Sequence, residues 1–297
     1  MNKQDSIISK RQKLHAVRVL RDRIFVVGFG LAVIIGILGL AALLFDVLID
    51  GLPFMNINFL TSYASRKAEH SGILAPLAGT IWIVGMTALF TIPIGVGTAI
   101  YLEEFASKNR LNRLIELNIA NLAGVPSVIY GLLGLAVFVQ FLFNGSRNVT
   151  AGALTMTLLI LPIVVIASQE AIKAVPSSYR HAAYAMGANR WQVVKAIVLP
   201  QAIPGMMSGI ILALSRAIGE SAPILIISSL VWVTFIPTSP DSKFTVLPLQ
   251  IFTWISQPQH SFRGIAAAAI IVLLIVLLSM NGIAIWIRSK YQSRPDQ

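Results

Sequence analysis

Long apolar runs recur along the chain and are separated by shorter polar segments. A helix needs about 20 predominantly apolar residues to cross the hydrocarbon core of a bilayer. The pattern therefore predicts membrane-spanning helices at about residues 24–45, 74–101, 122–143, 151–168, 203–231 and 264–287. Asn118 and Asn121 lie at the start of the third run, and the fourth run is at the short end of the range. This pattern is typical of an all-α membrane protein with six spans.

The six runs form one membrane domain, 24–288, between two tails. Residues 1–23 form a basic N-terminal tail, which we expect to be partly disordered, and residues 289–297 form the C-terminal tail. The longest loop on one side of the predicted membrane is 169–202, and the longest on the other side is 232–263. We expect no separate soluble domain.

The charged residues are few and unevenly placed. Only 12% of residues are charged, against about 25% in an average soluble domain, and the net charge is +11. With the N-terminus inside, 17 Lys and Arg residues fall in the two tails, at Arg288 directly before the second tail, and in the loops 102–121 and 169–202, whereas five fall in the other loops and Arg216 lies within a span. Such an excess marks the cytoplasmic side of a membrane protein. The charge therefore predicts that both termini are cytoplasmic, and it does not indicate nucleic-acid binding.

Candidate catalytic and metal-binding groups are sparse. The chain has no cysteine, which excludes disulfides and thiolate metal sites. His15, His70, His181 and His260 are scattered, and no HExxH, GxSxG or carboxylate cluster is present. A membrane-embedded enzyme is therefore the least favoured class. The first apolar run is longer than the roughly 7–15-residue core of a signal peptide and no cleavage site follows it, so we expect it to be a retained anchor.

The 169–202 loop predicts two short helices joined at a glycine. Pro176 can occupy the first helical position, the next residues contain no helix breaker, and Gly187 suits a left-handed C-terminal residue. Asn189 is a favourable N-cap for the second helix, which we expect to end at Pro200.

Each of these two helices carries an apolar face at three- and four-residue spacing. The faces consist of Tyr179, Ala183 and Met186 on the first helix, and of Trp191, Val194 and Val198, with Val193 and Ile197 beside them, on the second. The pattern leaves two interpretations open. The helices either lie on the bilayer surface or insert their apolar faces into a groove of a partner protein.

Small and apolar residues in this loop also follow a fixed register: Ala182-Ala183, then Gly187, Ile197 and Leu199-Pro200. This register resembles the EAA loop of the membrane subunits of bacterial ABC importers, where a separate ATPase docks. The resemblance implies an ATPase-coupling surface made of Tyr179, His181, Ala182, Ala183, Met186, Gly187, Ile197, Leu199 and Pro200. The chain departs from the family at His181, where the family usually has Glu.

The chain has no nucleotide-binding loop of its own. The pattern GxxxxGK[ST], whose backbone N–H groups cradle phosphates, is absent, and no glycine is followed by lysine. We therefore expect no cofactor in this chain, and we expect ATP-Mg to be bound only by a partner subunit.

Two charged residues, Arg216 and Glu220, lie near the middle of the fifth span. An Arg at this depth costs about 2.5–3.5 kcal/mol on insertion scales, so it should face the bundle interior or a wet cavity. At i and i+4 the two side chains can pair along one face. Two interpretations remain open: an ion pair that locks this helix to a neighbour, or a site on the path of an anion.

In the second interpretation Arg216 supplies charge and donors, and Glu220 tunes them. Ser215 and Ser221 add hydroxyl groups nearby, and Pro223 cannot donate to the carbonyl four residues before it. A guanidinium group suits tetrahedral oxyanions because it can donate two parallel hydrogen bonds. The predicted substrate-pathway residues are therefore Arg216, Glu220, Ser215 and Ser221.

Longer runs of sequence are similar to the PstA family, one of the two permease subunits of the bacterial phosphate importer. They are Ile100–Glu104, Gly124–Gly131, Leu212–Pro223 and Leu247–Phe252. The likeness implies a six-helix ABC type I importer permease with a cytoplasmic coupling-helix loop, in the plasma (inner) membrane of a bacterium. It also implies a heterodimer with a PstC-type permease, two PstB-type ATPases and a PstS-type phosphate-binding protein.

Two alternatives remain beside this interpretation. The chain is either a permease subunit for another small solute, such as sulfate or molybdate, or a stand-alone channel or secondary transporter that needs no ATPase. Transport by the chain alone would favour the stand-alone protein.

Overall fold

The computed structural model describes residues 3–107, 109–228 and 233–292, with side chains from 21 to 290 in those ranges. Every regular element in this part of the chain is helical, as the apolar pattern predicted. The parts of the sequence predictions that lie outside the described residues are residues 1–2 of the N-terminal tail, Lys108, the end of the fifth span at 229–231, the first residue of the 232–263 loop, and residues 293–297 of the C-terminal tail.

The α-helices are, in chain order, α1 (Lys3–Gly51), α2 (Ile57–Thr61), α3 (Leu74–Ile100), α4 (Arg110–Ala123), α5 (Ser127–Gly134), α6 (Val149–Lys173), α7 (Ser177–Ala185), α8 (Arg190–Val193), α9 (Leu199–Gly219), α10 (Ala222–Ile227), α11 (Leu247–Ile255) and α12 (Ser261–Gln292). Segments of π-helix extend or join them at Tyr101–Phe105, Leu135–Leu142 and Val194–Val198. Short 3₁₀ turns lie at Leu52–Phe54 and Ala68–His70.

Several of these helical stretches are long and apolar enough to cross a membrane. Within the described residues there are five, at Arg21–Phe54, Leu74–Phe105, Val149–Lys173, Arg190–Gly219 and Ser261–Lys290. Arg110–Ala123 and Ser127–Leu142 pass the same test together, but they are bent by 105°. The chain therefore has six spans if this bent pair is counted as one.

The bend places the third helix differently from the sequence prediction of 122–143. α4 ends at Ala123, and the spanning part begins only at Ser127. Pro126 has no backbone N–H to donate and disfavours helical geometry at Val125, so the two helices cannot join. α4 has a polar face and an apolar face, so it is an amphipathic helix that precedes the span.

Residues 1–50 form a unit of their own, which consists of most of α1. The helix begins at Lys3, so the structure differs from the partial disorder expected for 1–23. The apolar run 24–45 has no polar stripe. A helix that is hydrophobic on all sides is typical of a membrane span.

Residues from Gly51 onward form a second compact unit around α6. α3 and α9 pack against α6, and Met156 and Ile160 of α6 are completely buried. Ile210 of α9 and Phe244 belong to the same apolar cluster. Helices α3, α5 and α9 pack against α6, and most of its apolar stretch is buried, which places it at the centre of this unit.

Glycine residues bring α9 close to α6. A Cβ atom added at Gly205 would lie 2.9 Å from Cβ of Ala171, and one added at Gly209 would overlap Cβ of Ala167. The small residues at 205 and 209, one helical turn apart, thus let the two helices approach closely. Such small-residue contacts hold helices together in lipid, where the hydrophobic effect does not.

Short helices lie at the two ends of this bundle, α11 at one end and α7 at the other. At the α11 end, the Leu247 N–H donates to Oγ1 of Thr80 in α3 (2.9 Å). At the α7 end, Arg180 of α7 contacts Glu104, which follows α3. α3 and α6 therefore run from the α11 end to the α7 end, and α9 runs back.

The loop predicted at 232–263 is folded into the α11 end. Leu247, Gln250 and Trp254 of α11 are at most 1% exposed. Arg147, in the turn before α6, donates from Nη1 to the carbonyl oxygen of Ile227 (3.0 Å) and so caps the end of α10. This packing fixes α10, which follows the charged segment of α9.

Candidate functional site

The 169–202 loop folds as a helix, a glycine turn and a second helix. Gly187 has φ of +84°, and the left-handed residue predicted there is confirmed. Asn189 caps the second helix in a capping box: its Oδ1 accepts from the Gln192 N–H (2.9 Å), and Gln192 Oε1 accepts from the Asn189 N–H (2.8 Å). The N-cap predicted at Asn189 is also confirmed.

The second helix does not end at Pro200, and that prediction is wrong. The chain is helical without a break from Arg190 to Gly219. In a regular α-helix the ring of Pro200 would clash with the carbonyl four residues before it. Here the preceding Leu199 N–H bonds to the carbonyl of Val194, five residues back, and this wider π-helical turn accommodates the proline.

The surface of this loop is apolar at its tip. Met186 is 88% exposed and Tyr179 is 52% exposed, whereas Ala183 is half-buried against the core that Val193 and Val198 form under the loop. The face predicted to join Tyr179, Ala183 and Met186 is therefore divided between the surface and the core. The other proposed coupling residues are exposed at His181, Ala182, Gly187 and Pro200, and half-buried at Ile197 and Leu199.

Arg180 fixes α7 to the rest of the bundle. Its Nε and Nη2 donate to Oε1 of Glu104 (3.1 and 2.9 Å). Nη2 also donates to the carbonyl of Ile172 (2.9 Å), and Nη1 to that of Val175 (2.6 Å). These two carbonyls belong to the C-terminal end of α6 and the turn after it, where helix carbonyls lack partners. One largely buried guanidinium group thus joins α7, α6 and the segment after α3.

The π-helical turn Tyr101–Phe105 contacts the loop at further points. Glu103 Oε1 accepts from Nε2 of Gln169 (2.9 Å) and lies 3.4 Å from Nζ of Lys173. The rings of Phe105 and Trp191 have centroids 6.3 Å apart, and the Arg190 guanidinium carbon lies 5.7 Å from the Phe105 centroid. The sequence pattern did not predict these contacts. The available signal was a pair of carboxylates directly after an apolar span, facing a loop rich in basic residues.

The charged segment of the fifth span interrupts its helix. α9 ends at Gly219, Glu220 has extended geometry (φ −82°, ψ 117°), and α10 begins at Ala222. The sequence predicted a continuous span from 203 to 231, and the structure differs because Pro223 cannot donate to the Gly219 carbonyl and its ring would clash with it.

Arg216 is only weakly paired. Its Nε lies 3.9 Å from Oε2 of Glu220, which is longer than a hydrogen bond. Within the described residues, no other carboxylate lies within 4.0 Å of Arg216 and no hydrogen bond uses its guanidinium group. The side chain is 47% exposed, whereas that of Glu220 is 19% exposed. The pair lies within one segment of chain, so it does not lock α9 to a neighbouring helix.

The two serine residues predicted beside this pair are placed differently. Ser221 lies in the break between α9 and α10, next to Glu220. Ser215 instead faces α12: its Oγ is 2.7 Å from Oδ1 of Asn281 and 2.7 Å from the carbonyl of Ile211. The structure therefore places Arg216 near Glu220, leaves Ser221 at the same break in the chain, and gives Ser215 a contact between helices.

α5 lies against the same break. A Cβ atom added at Gly131 would lie 2.8 Å from Cα of Pro223, so glycine permits the close approach of α5 and α10. Tyr130, the residue before it, donates from its hydroxyl to the carbonyl of Leu122 (2.7 Å). Two runs of sequence that are far apart in the chain thus meet at the charged break.

A bundle of this kind, with a helix pair at one end joined to a charged span, is the fold of ABC importer permeases. The chain is similar to the methionine transporter MetNI in its inward-facing conformation (TM-score 0.60, 17% identity, 72% of this chain and 94% of that chain). It is also similar to a bacterial ABC transporter involved in the import of the acidic polysaccharide alginate (TM-score 0.57, 17% identity, 76% and 80%). At these identities the likeness is one of fold.

Comparison of sequences shows the family. Residues 91–292 match the family described as binding-protein-dependent transport system inner membrane component, and the chain belongs to this family. It is 32% identical to the probable ABC transporter permease protein YqgI of Bacillus subtilis (91% of this chain, 96% of the relative). It is 34% identical to the phosphate transport system permease protein PstA 1 of Mycobacterium tuberculosis (73% and 70%) and 30% identical to PstA of Haemophilus influenzae (84% and 88%). The chain is thus a multi-pass membrane protein and the permease component of an ABC importer.

Proposed function

We propose that this chain is a permease subunit of an ATP-driven importer for inorganic phosphate and forms half of its translocation path. The observation that carries the proposal is Arg216, a half-exposed guanidinium group at a break in a membrane-spanning helix, with no hydrogen bond to the described residues. The similarity to permeases named for phosphate transport supports this substrate.

The chemistry of the break suits an oxyanion. The guanidinium group of Arg216 can donate two parallel hydrogen bonds to phosphate, and its charge offsets that of the anion. Glu220, 3.9 Å away, keeps Arg216 oriented when no anion is bound and weakens the attraction, so that phosphate is released again. Ser221 adds a hydroxyl donor at the break.

The energy would come from a separate ATPase. The sequence has no GxxxxGK[ST] loop, so ATP-Mg would be bound and hydrolysed by two PstB-type subunits that dock on α7 and α8. The helix that begins at Arg190 continues to Gly219, and Arg216 is 26 residues along it, or about 39 Å at 1.5 Å per residue. A displacement of α8 by the ATPase would therefore be transmitted to Arg216 along one continuous helix.

The remaining partners and the topology follow from the same model. A PstC-type permease would complete the path on the exposed side of Arg216, and a PstS-type protein would deliver phosphate at the α11 end. The α7 end and both termini would be cytoplasmic in a bacterial inner membrane, because the basic residues are concentrated in the tails and the loops of this side.

Phosphate uptake by the assembled complex tests the proposal. We expect Arg216→Leu to reduce uptake by at least about a hundredfold while the complex is recovered in normal yield, and Arg216→Lys to retain a measurable fraction, since charge is kept and the two-pronged geometry is lost. Normal uptake by Arg216→Leu would contradict the proposal. If the unaltered complex takes up radiolabelled sulfate or molybdate and not phosphate, the substrate is that other anion and not phosphate.

A further inference from the structure

Arg288, near the α7 end of α12, is a cation that has no anionic partner among the described residues. Its Nη1 donates to Oγ of Ser208 in α9 (2.9 Å). Its Nε is buried and has no hydrogen-bond partner among the described residues. In the same part of the chain, no carboxylate lies within 4.0 Å of this guanidinium group. A neutral serine is therefore its polar contact there.

This arrangement is costly unless another acceptor visits it. A guanidinium group has five N–H donors and stays charged in proteins. A buried donor without a hydrogen-bond partner destabilises the protein, and the loss is larger when the group is charged. A carboxylate from a neighbouring helix would remove that cost permanently, but the residues that the structure describes supply none at this point. An oxyanion that binds reversibly would remove it only while bound.

A pair of matched contacts fixes Arg288 on α9. Ser208 and Ser215 are seven residues apart on α9, and their partners Arg288 and Asn281 are seven residues apart on the antiparallel α12. Seven residues are close to two helical turns, so both contacts lie along one line between the helices. The register of α12 against α9 thus determines where the Arg288 guanidinium group is held.

Arg288 is held on the stretch of α9 that leads to Arg216. Ser208, Leu212 and Arg216 follow one another at four-residue intervals, and all three are exposed. Ser208 and Arg216 are eight residues apart, or about 12 Å along the axis. Arg216 also leans away from Ser208, toward Glu220. A single phosphate does not bridge the two guanidinium groups in this conformation, so they form two separate positions.

We infer that Arg288 is a second oxyanion-binding group, which receives phosphate on the α7 side of Arg216 during translocation. The inference rests on the proposed function and extends it to a residue that lies 72 positions further along the chain. Two cationic positions of moderate strength let an anion move in short steps, whereas one strong position would hold it. Arg288 is thus a substrate-binding residue, and Ser208 positions it.

Thiol labelling measures this directly, because the chain has no cysteine of its own. Leu212→Cys, which lies between the two positions, is labelled in the nucleotide-free complex with a negatively charged methanethiosulfonate, with and without inorganic phosphate. Ile283→Cys is the matched control: its side chain is 61% exposed, and it lies two residues from Asn281 and so on the opposite side of α12. We expect the reagent to label Cys at 212 and not at 283, and phosphate to slow labelling by about fivefold or more.

Variants then separate the two positions. We expect phosphate protection at 212 to fall by at least about half when Arg288→Leu is added, and to be kept when Arg288→Lys is added. In uptake assays Arg288→Leu should lower the maximal rate by about tenfold with little change in KM, because the first position is intact. A merely structural Arg288 would leave phosphate protection unchanged.

The outcomes also distinguish the inference from the proposed function. If Arg216→Leu abolishes uptake while Arg288→Leu changes neither protection nor maximal rate, the second position is wrong and the proposed function stands. If phosphate does not slow labelling at position 212, either with Arg288 or with Arg288→Leu, and Arg216→Leu transports phosphate normally, then the inference and the proposed function are both wrong. Absence of labelling at 212 would show that this face of α9 is not in contact with water, and that result also contradicts the inference.

Discussion

At the scale of single residues, Arg180 determines how the 169–202 loop is attached. It neutralises Glu104, whose side chain is 8% exposed, and it also donates to the carbonyls of Ile172 and Val175 at and just after the end of α6. Removal of one partner from a buried ion pair costs more than removal of both, because a buried charge is left without compensation. The pair is therefore a sensitive point for stability and for coupling.

We expect Arg180→Met to destabilise the complex by about 3–5 kcal/mol, and the double variant Arg180→Met with Glu104→Gln to recover a large part of that loss. Thermal unfolding of the purified complex, in a double-mutant cycle, measures the interaction energy. Additive losses of stability from Arg180→Met and Glu104→Gln in the double variant would show that the ion pair contributes little. The same variants should hydrolyse ATP with reduced phosphate uptake, since α7 is no longer fixed to α3.

The exposed residues of α7 should differ sharply in their importance. His181 is exposed and makes no hydrogen bond to the described residues, so we expect His181→Ala to change uptake by less than about twofold. Met186, 88% exposed at the tip, would contact the ATPase. We expect Met186→Asp to reduce recovery of the ATPase, because it would place a charge in an apolar groove. Recovery of the ATPase in a pull-down measures both variants. Reduced recovery with His181→Ala, or normal recovery with Met186→Asp, would contradict this assignment.

Local rules predicted some of these residues and not others. Gly187 and Asn189 were predictable because a left-handed residue and an N-cap depend on their immediate neighbours. Arg180 was missed because its partner Glu104 is 76 residues away. Ser215 was assigned to the charged site by proximity in sequence, whereas its contact with Asn281 spans 66 residues. Contacts of this length depend on helix packing, which a single sequence does not reveal.

At the scale of helices, the close contact of α6 and α9 supports the charged segment. We expect Gly209→Leu to push these helices apart, because a Cβ atom there already overlaps Ala167, and overpacking of this kind costs about 1–3 kcal/mol. Gly97→Leu in α3 is the matched control, since no atom lies within 4 Å of the added Cβ atom. Thermal unfolding of both variants tests this contact, and a similar loss at both positions would show that helix packing is not the cause.

The continuity of α8 with α9 shows why helix ends are hard to predict. A proline ordinarily ends a helix, so Pro200 was expected to separate the loop from the span. The π-helical turn Val194–Val198 removes the clash, and the sequence carries no simple signal for such a turn. Pro223 illustrates the opposite outcome, because α9 ends at Gly219, four residues before it. Which proline breaks a helix depends on the turn that precedes it.

At the scale of the whole chain, the apolar runs were sufficient to predict an all-α membrane protein with six spans. The 105° bend between α4 and α5 was not predictable from hydropathy, which registers composition and not direction. The packing of α11 was also missed, because Leu247 bonds to Thr80 from 167 residues away. A loop between two spans is read as polar and exposed unless its tertiary contacts are known.

The exposed side of Arg216 indicates that this chain does not form the transport path alone. A charged side chain in a membrane span needs a polar environment, and the described residues supply only Glu220 on that side. A second permease would close the path around both residues, and an ATPase would drive its opening. We therefore expect sealed vesicles that contain this chain alone to take up no more phosphate than empty vesicles. Vesicles that contain both permeases, with the ATPase inside, should take up phosphate when ATP and the phosphate-binding protein are added. The matched control is the same complex with Arg216→Leu, which should hydrolyse ATP without uptake. Phosphate flux through the single chain at the rate of the full complex would mean that one subunit forms the entire path.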